Sequence, residues 1–253
     1  MNFIVIRAKS ILMWLSIIIV IPLVIAFVSK STPVYNVNGR EIPIYSVERD
    51  DEKIAITFDC AWNDDDIDVI LDILDRYNCK ATFFVVGDWV EKYGESLAKI
   101  HDRGHEIGNH SYNHKDYTTL SGEQIAHDLE VCDNVIESVI GKRPTLVRAP
   151  SGAYNDNVIK TCEQMGKTYI QWSVDSIDYK ANSISDIVER ATKNVEAGDI
   201  LLLHNGTQFT AQALPLVLEK LCAQFDFVTV SDLIYKDNYI IDHTGKQKSI
   251  KGM

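Results

Sequence analysis

The sequence lacks the features that point to nucleic-acid binding or to a disulfide-stabilised fold. Its 253 residues carry 25 lysines and arginines against 36 aspartates and glutamates, a formal net charge of −11. Phosphate binding needs clustered lysine and arginine, so this balance argues against a nucleic-acid partner. The five cysteines show no CxxC spacing, which argues against a zinc ribbon and a disulfide framework. The chain also has no internal repeat and no low-complexity segment.

A single long hydrophobic run lies near the N-terminus. Residues 11–28 carry no charge, and their 18 residues are about the minimum for a helix that spans a bilayer. Arg7 and Lys9 precede the run, so the positive-inside rule predicts a cytoplasmic segment 1–10 and an extracytoplasmic remainder. No A-x-A site follows, which favours an uncleaved single-pass membrane anchor over a signal peptide that releases a secreted protein. We expect residues 29–50 to form a tether or an edge hairpin.

A regular pattern of strands and helices extends over residues 51–236. About seven strand-like apolar runs alternate with helical patterns, which predicts parallel strands joined by right-handed crossovers. Ser121 and Ser183 are predicted helix N-caps, and Gly198 is predicted to end a helix. This number of units in about 185 residues favours a small or incomplete (β/α) barrel over a doubly wound sheet. Residues 237–253 are expected to be a C-terminal tail.

His110 and His114 are the strongest candidates for metal ligands. Two imidazoles four positions apart share one face if the backbone is helical there, close enough to bind one ion. That spacing alone is common on solvated helix faces. The spacing of His110 and His114 is more informative here because other polar residues also follow predicted strands.

These reactive side chains are expected to meet at one edge of the sheet. Barrel enzymes build their sites at the carboxyl ends of the strands, where all of these positions fall. Each residue alone has a structural role open to it, such as helix capping by Asp59, but the whole set on one rim favours a functional site. The set is Asp59, Cys60, His110, His114, Arg148, Asp175, Asp178, His204 and Asn205.

Five ordered motifs resemble those of the polysaccharide deacetylase (NodB homology, carbohydrate esterase 4-like) family. They are TFD at 57–59, HSYNH at 110–114, RAPSGAY at 148–154, DSIDY at 175–179 and LLLH at 201–204. Segments such as HKDYTTL and EAGDILLLH are similar to those of the sporulation-associated branch of that family. The resemblance implies a distorted (β/α)7 barrel. It also implies removal of N-acetyl groups, or sometimes O-acetyl groups, from sugar polymers such as peptidoglycan and chitin.

The resemblance further implies a role for each residue of the site. His110 and His114 hold a divalent ion that polarises the water and the acetyl carbonyl. Asp59 would be the general base, with Arg148 as its partner. His204 would be the general acid, and Asp178 would orient it. The backbone N–H of Ser151 would donate to the oxyanion, and Tyr179 and Leu202 would form apolar walls around the acetyl methyl.

One position departs from the family pattern. The family typically places a second aspartate, its third metal ligand, directly after the base, and this chain has Cys60 there. A thiolate is a good zinc ligand, so a Cys60–His110–His114 site that favours zinc is one expectation. Two alternatives stay open: a buried, uninvolved Cys60 that leaves a weakly occupied two-histidine site, or no ion at all. Residues 63–66 are candidates for a substitute carboxylate.

The sequence therefore predicts a membrane-anchored, extracytoplasmic carbohydrate N-deacetylase that acts on a cell-wall polysaccharide, with peptidoglycan favoured. A glycan-binding pseudoenzyme of the same fold is the alternative that the cysteine raises. An O-acetyl esterase would share all of the motifs. No pattern in the chain indicates the target sugar or the oligomeric state.

Overall fold

The computed structural model describes residues 40–250. The predicted cytoplasmic segment 1–10 and membrane anchor 11–28 lie outside this range. Within it, every helix is too short or too polar to cross a bilayer. The strands are β1 (Ser46–Val47), β2 (Lys53–Cys60), β3 (Thr82–Val85), β4 (Glu106–Asn109), β5 (Leu146–Val147), β6 (Thr168–Tyr169), β7 (Val174–Asp175), β8 (Ile200–His204), β9 (Asp226–Phe227), β10 (Tyr239–Ile241) and β11 (Lys246–Ser249). The helices are α1 (Ile67–Arg76), α2 (Gly87–Lys92), α3 (Gly94–Asp102), α4 (Gly122–Ile140), α5 (Asp156–Gln164), α6 (Ile184–Thr192), α7 (Thr210–Leu221) and α8 (Val230–Leu233).

A parallel sheet with helical crossovers forms the centre of the domain, which confirms the predicted α/β class. Its strand order is β6-β5-β4-β3-β2-β8-β7, and β9 pairs in parallel with the start of β2. The predicted (β/α)7 barrel is not fully closed by strand pairing, because the edge strands β6 and β7 are not hydrogen-bonded to each other. The sheet is therefore a half-barrel.

The open side of the half-barrel is crossed by residues 44–47. The Ile44 carbonyl accepts a hydrogen bond from the Gln171 backbone at 2.7 Å, just beyond β6. Three residues later, the Val47 amide donates to the Gly198 carbonyl at 2.9 Å, just before β8. Ile44 and Val47 are both fully buried. We call residues 44–47 the strap, because they bridge the two ends of the sheet.

The folded domain is wider than the predicted span of 51–236. Residues 40–50 were expected to belong to a tether or an edge hairpin and residues 237–250 to a tail, but both segments belong to the domain. β1, within the strap, pairs in parallel with β11, and β10 pairs antiparallel with β11. The sequence pattern missed these strands because each has only two to four residues.

Alternation along β2 separates two chemical environments. Ile54, Ile56, Phe58 and Cys60 pack in the hydrophobic cluster beneath the helices. Ala55 belongs to a second cluster inside the half-barrel, which also contains Phe84 of β3 and Ile44 of the strap. Because successive side chains of a strand point to opposite faces, Asp59 lies on the inner face and Cys60 on the helix face.

Two local predictions are confirmed and one is wrong. Ser121 forms a capping box with Gln124, and the Ser183 hydroxyl caps α6. Gly198 does not end a helix: α6 ends at Thr192, and Gly198 lies just before β8.

Gly198→Ala is expected to destabilise the domain by at least about 2 kcal/mol. The φ of Gly198 is +88°, and an added Cβ would lie 1.7 Å from the Val47 carbonyl oxygen, so the strap would have to move. The matched control is Gly166→Ala, which has a φ of +70° but no neighbouring atom within 4 Å. Its cost should stay near 1–2 kcal/mol. Urea unfolding measures both, and equal losses would contradict the packing of the strap on Gly198.

Candidate active site

A pocket of about 210 Å³ lies at the carboxyl ends of the strands. It brings together most of the residues that the sequence singled out, although these residues come from distant parts of the chain. The lining residues are Asp59, Ala61, Trp62, His110, His114, Ser151, Trp172, Asp175, Tyr179, Leu202 and His204.

Arg148 fixes the position of Asp59. The guanidinium is completely buried, and its Nη1 donates to Asp59 Oδ1 at 2.8 Å. Nη1 also donates to the Thr57 hydroxyl at 2.8 Å, and Nη2 donates to the Gln171 carbonyl at 3.0 Å. The guanidinium carbon lies 4.2 Å from the centre of the Phe84 ring. Both the sheet and the loop after β6 therefore hold the Asp59–Arg148 pair in place.

The charge of Arg148 keeps Asp59 ionised. Burial is the largest single influence and would by itself raise the pKa of this carboxyl, but the charge of Arg148, the smaller effects of His110 and His204 and the hydrogen bond from Arg148 together outweigh it. The net result is a pKa below the ordinary value. A buried carboxylate that stays ionised and faces a pocket can accept a proton from a bound water.

His204 and Asp178 form a second charged pair on the other side of the pocket. His204 Nδ1 lies 2.7 Å from Asp178 Oδ1, and the His204 backbone N–H donates to Asp178 Oδ2 at 2.7 Å. The Thr210 hydroxyl donates to the same oxygen at 2.6 Å. β2 and β8 are adjacent, and Asp59 and His204 are directly paired in register, so the two charged pairs face one pocket.

Asp178 holds His204 in its protonated form. Burial by itself lowers the pKa of the imidazole, but the hydrogen bond and charge of Asp178 outweigh it and raise the pKa above the ordinary value. The stabilisation that this pair gives the fold is therefore complete below the ordinary histidine pKa and is lost as the pH rises through the raised one. A protonated imidazole is the form that can donate a proton to a leaving amine.

His110 and His114 lie on a loop and not on a helix, so the helical explanation of their spacing is wrong. Positive φ angles at Ser111 and His114, of 71° and 58°, turn the chain so that the two ring centres lie 5.2 Å apart. Asn109 supports the loop: its Oδ1 accepts from the Ser111 amide at 2.9 Å, and its Nδ2 donates to Asp133 Oδ1 at 2.7 Å.

His110 has the tautomer that a metal ligand needs. Its Nδ1 lies 2.7 Å from the Arg148 carbonyl oxygen, which can only accept, so Nδ1 carries the proton and Nε2 is left with its lone pair. Nε2 lies 3.5 Å from Asp59 Oδ2. Burial is the main reason that the pKa of His110 falls to about 4, so the ring is neutral at physiological pH.

The predicted third ligand, Cys60, is not part of the site. Its side chain is fully buried in the cluster beneath the helices, and burial raises the pKa of the thiol well above its usual value. Within residues 40–250, no group of three histidine, cysteine or acidic side chains is arranged to hold a metal ion. The Cys60–His110–His114 zinc site is therefore wrong. The physical reason is the alternation of β2, which turns neighbouring side chains to opposite faces.

The proposed substitute carboxylate also lies elsewhere. Asp66 accepts hydrogen bonds from the Gly206 backbone at 2.9 and 3.0 Å and does not line the pocket. Asn205 is fully buried and donates to the Asn63 carbonyl. These residues join the loop after β2 to the loop after β8, and they do not provide a further metal ligand beside His110 and His114.

The remaining predicted residues lie around the pocket. Ser151 has φ 57° and ψ 16° in a short 3₁₀ turn after β5, and it reaches the pocket together with Leu202 of β8. Tyr179 also lines the pocket, but 47% of its surface is exposed at the mouth. Asp175 lines the pocket and accepts from the Ile177 amide at 2.8 Å.

Gln171 and Trp62 are two site residues that the sequence analysis missed. The Gln171 side chain donates to the Gly152 carbonyl at 2.6 Å, while its backbone carbonyl receives Arg148, so it joins the Ser151 turn to the Asp59–Arg148 pair. Trp62 lies 5.5 Å from His204, measured between ring centres. Trp62 lies two residues beyond Cys60, and this place just after a predicted strand could have indicated it. Only the fold reveals the role of Gln171.

Known proteins are similar to this chain in sequence and in fold. The polysaccharide deacetylase profile matches residues 46–170. A peptidoglycan-N-acetylglucosamine deacetylase of Bacillus cereus is 35% identical over 196 residues, which cover 75% of this chain and 92% of that protein. The chain belongs to the polysaccharide deacetylase family. The deacetylases among its relatives are hydrolases that act on carbon–nitrogen bonds.

The chain is also similar to an uncharacterized protein and to a solved pseudoenzyme. The uncharacterized protein YlxY of Bacillus subtilis is 33% identical over 179 residues, or 71% of this chain, but the match spans only 56% of YlxY. A solved CE4 family pseudoenzyme from Bacillus anthracis has a TM-score of 0.73 at 31% identity, covering 77% of this chain and 69% of that one. A mutant of that pseudoenzyme with restored enzymatic activity gives the same TM-score at 32% identity, covering 77% of this chain and 72% of that one.

Cys60→Ala should leave zinc binding unchanged and cost roughly 1 kcal/mol of stability, because it removes only buried apolar packing. The matched control is Cys132→Ala, which removes another fully buried thiol. Elemental analysis after equilibration with zinc, and urea unfolding, measure the two effects. Loss of bound zinc from Cys60→Ala but not from Cys132→Ala would show that the Cys60 thiol is a zinc ligand.

Asp178→Asn should lower the pKa of His204, because it removes the charge that opposes the effect of burial. The titration of the His204 ring protons by NMR measures this shift in the absence of any substrate. Asp102→Asn, at a carboxyl that is 80% exposed, is the control and should change nothing at His204. An unchanged titration in Asp178→Asn would contradict the assigned role of the pair.

Proposed function

We propose that this protein is a carbohydrate N-deacetylase that removes acetyl groups from amino sugars of a cell-wall polysaccharide, with peptidoglycan favoured. The observation that carries the proposal is the meeting of an ionised Asp59 and a protonated His204 in one pocket. Amide hydrolysis needs one group that accepts a proton and another that donates one. The similarity to relatives that include peptidoglycan deacetylases supports the substrate class.

In the first step, Asp59 takes a proton from a water molecule as the water oxygen bonds to the acetyl carbonyl carbon. The carbonyl π electrons move onto its oxygen and form a tetrahedral oxyanion. We assign the backbone N–H of Ser151, in the turn that lines the pocket, as the donor to that oxygen, and losing one such donor elsewhere costs about 3–4 kcal/mol of transition-state stabilisation. Gln171, through its bond to the Gly152 carbonyl, holds this turn against the pair that contains the base.

In the second step, the oxyanion collapses and the carbon–nitrogen bond breaks. The electron pair goes to nitrogen, which takes the proton from His204, and acetic acid and a free amine are the products. Asp178 keeps His204 charged and correctly turned until that transfer. Leu202 supplies apolar surface beside the place of the acetyl methyl group.

Assistance by a divalent ion, with zinc favoured, is a further part of the proposal but has a weaker basis. His110 and His114 are the residues available to hold such an ion, which would polarise the acetyl carbonyl when bound. Two imidazoles are fewer than the three protein ligands usual in catalytic zinc sites, so binding should be weak. No step above depends on that ion.

The location of the protein is also part of the proposal. The apolar run at 11–28 and the basic residues before it support a single-pass anchor with the domain outside the membrane. A cell-wall polymer is a substrate that a domain in that place could reach. Release as a secreted protein after signal cleavage is the alternative.

A glycan-binding pseudoenzyme is the second candidate function. The observation that favours it is the burial of Cys60 away from the pocket, which leaves the two histidines without a third ligand among residues 40–250. The similarity to a CE4 family pseudoenzyme agrees with this candidate. Under it, the pocket would still receive the acetamido group, but turnover would be absent.

Acetate release from peptidoglycan fragments and from chitooligosaccharides distinguishes the two candidates. We expect turnover by the parent protein and a loss of at least about 100-fold in Asp59→Asn and in His204→Ala, because each removes a proton-transfer group. Asp102→Asn is the exposed control and should match the parent. Background acetate release by the parent, both without added metal and with zinc, cobalt or manganese, would overturn the deacetylase and leave the pseudoenzyme.

A further inference from the structure

Two large aromatic side chains are exposed at the mouth of the pocket. Trp62 is 50% exposed and Tyr179 is 47% exposed, and they come from the loops after β2 and β7. Their ring centres lie 5.5 Å and 5.3 Å from that of His204. Exposed apolar surface of this size beside a functional group is typical of a binding surface.

The loop that carries Trp62 is held in place by hydrogen bonds. The carbonyl of the next residue, Asn63, accepts from Trp89 Nε1 at 3.0 Å and also from the Asn205 side chain. Trp89 and Asn205 are both buried. The exposed indole therefore extends from a fixed backbone, and its exposure is not the result of a loosely attached loop.

The size of the pocket limits what can enter it. A volume of about 210 Å³ is smaller than the roughly 300–1,000 Å³ of sites that enclose a whole small molecule. An acetamido group fits in this space, but the sugar ring that carries it would remain at the mouth. That is where Trp62 and Tyr179 present their rings.

We propose that Trp62 and Tyr179 form an aromatic clamp that binds the pyranose ring of an N-acetylated glycan while its acetamido group enters the pocket. A pyranose presents C–H groups on its faces, and these pack well on the flat apolar surface of an aromatic ring. This proposal rests on the proposed function for the identity of the glycan. It does not require turnover, because the clamp would act in a glycan-binding pseudoenzyme as well.

Trp62 has a second contact that the test must separate from glycan binding. The indole and the His204 imidazole are inclined by 34°, so one face of Trp62 partly covers His204. A tryptophan that only shields His204 would influence the titration of the imidazole and leave glycan affinity unchanged. A clamp residue would influence the affinity.

The experiment measures binding of N-acetylchitotetraose to the full-length protein by isothermal titration calorimetry and tryptophan fluorescence. We expect Trp62→Ala to weaken binding roughly 10-fold, the scale of a lost aromatic contact with its buried area. Trp62→Phe should recover most of the affinity and reduce the fluorescence change, leaving the contribution of Trp172, which also lines the pocket. Tyr179→Ala should weaken binding in the same direction. The matched control is Val69→Ala, an apolar side chain of α1 that is 49% exposed and does not line the pocket.

The outcomes separate the clamp from the deacetylase. Trp62-dependent binding without acetate release supports the clamp and overturns the deacetylase. Acetate release by the parent, with Trp62→Ala binding within about twofold of the parent, overturns the clamp and leaves the deacetylase in place. Absence of binding by the parent, or an equal loss in Val69→Ala, also overturns the clamp.

Discussion

The buried charge of Arg148 is the interaction on which the site depends. Its guanidinium is removed from water between the ring of Phe84 and the inner face of the sheet, where an unpaired charge would be very costly. Asp59 supplies the compensating charge, and Thr57 and the Gln171 carbonyl satisfy further N–H groups. This pairing explains why a carboxyl as buried as Asp59 stays ionised. It also explains why its orientation toward the pocket is fixed.

The same pairing connects elements that are far apart in the chain. Gln171 receives Arg148 on its carbonyl, donates its backbone N–H to Ile44 in the strap, and holds the turn after β5 through its side chain. The strap is therefore more than a cover for the open side of the half-barrel, because its position bears on the Asp59–Arg148 pair. On the opposite side, β8 supplies His204 in register with Asp59, so the spacing of the two charged pairs is set by adjacent strands.

The sequence was sufficient for the α/β class and for most of the charged residues of the site, because both depend on patterns local to each strand end. Asp59, His110, Arg148 and His204 each directly follow or end an apolar run, and parallel strands bring such positions together. The identity of the third metal ligand could not be obtained in this way. Adjacency to Asp59 made Cys60 a candidate, but the alternation of β2 turns it to the helix face.

Contacts between segments distant in the chain also could not be predicted from the sequence. The strap is four residues of ordinary composition, and its role depends on Gly198 and Gln171, which are more than 100 positions away. The helical spacing of His110 and His114 was misleading for a related reason. Their proximity comes from positive φ angles supported by Asn109, and no periodic pattern records those angles.

The central claim is that Arg148 keeps the Asp59 carboxyl ionised within the pocket. The most direct measurement is a pH titration of the Asp59 carboxyl carbon by ¹³C NMR, with the resonance assigned by comparison with Asp59→Asn. The account predicts a pKa below the ordinary aspartate value of about 3.9. A titration at or above that value would contradict it, since burial would then outweigh the charge of Arg148.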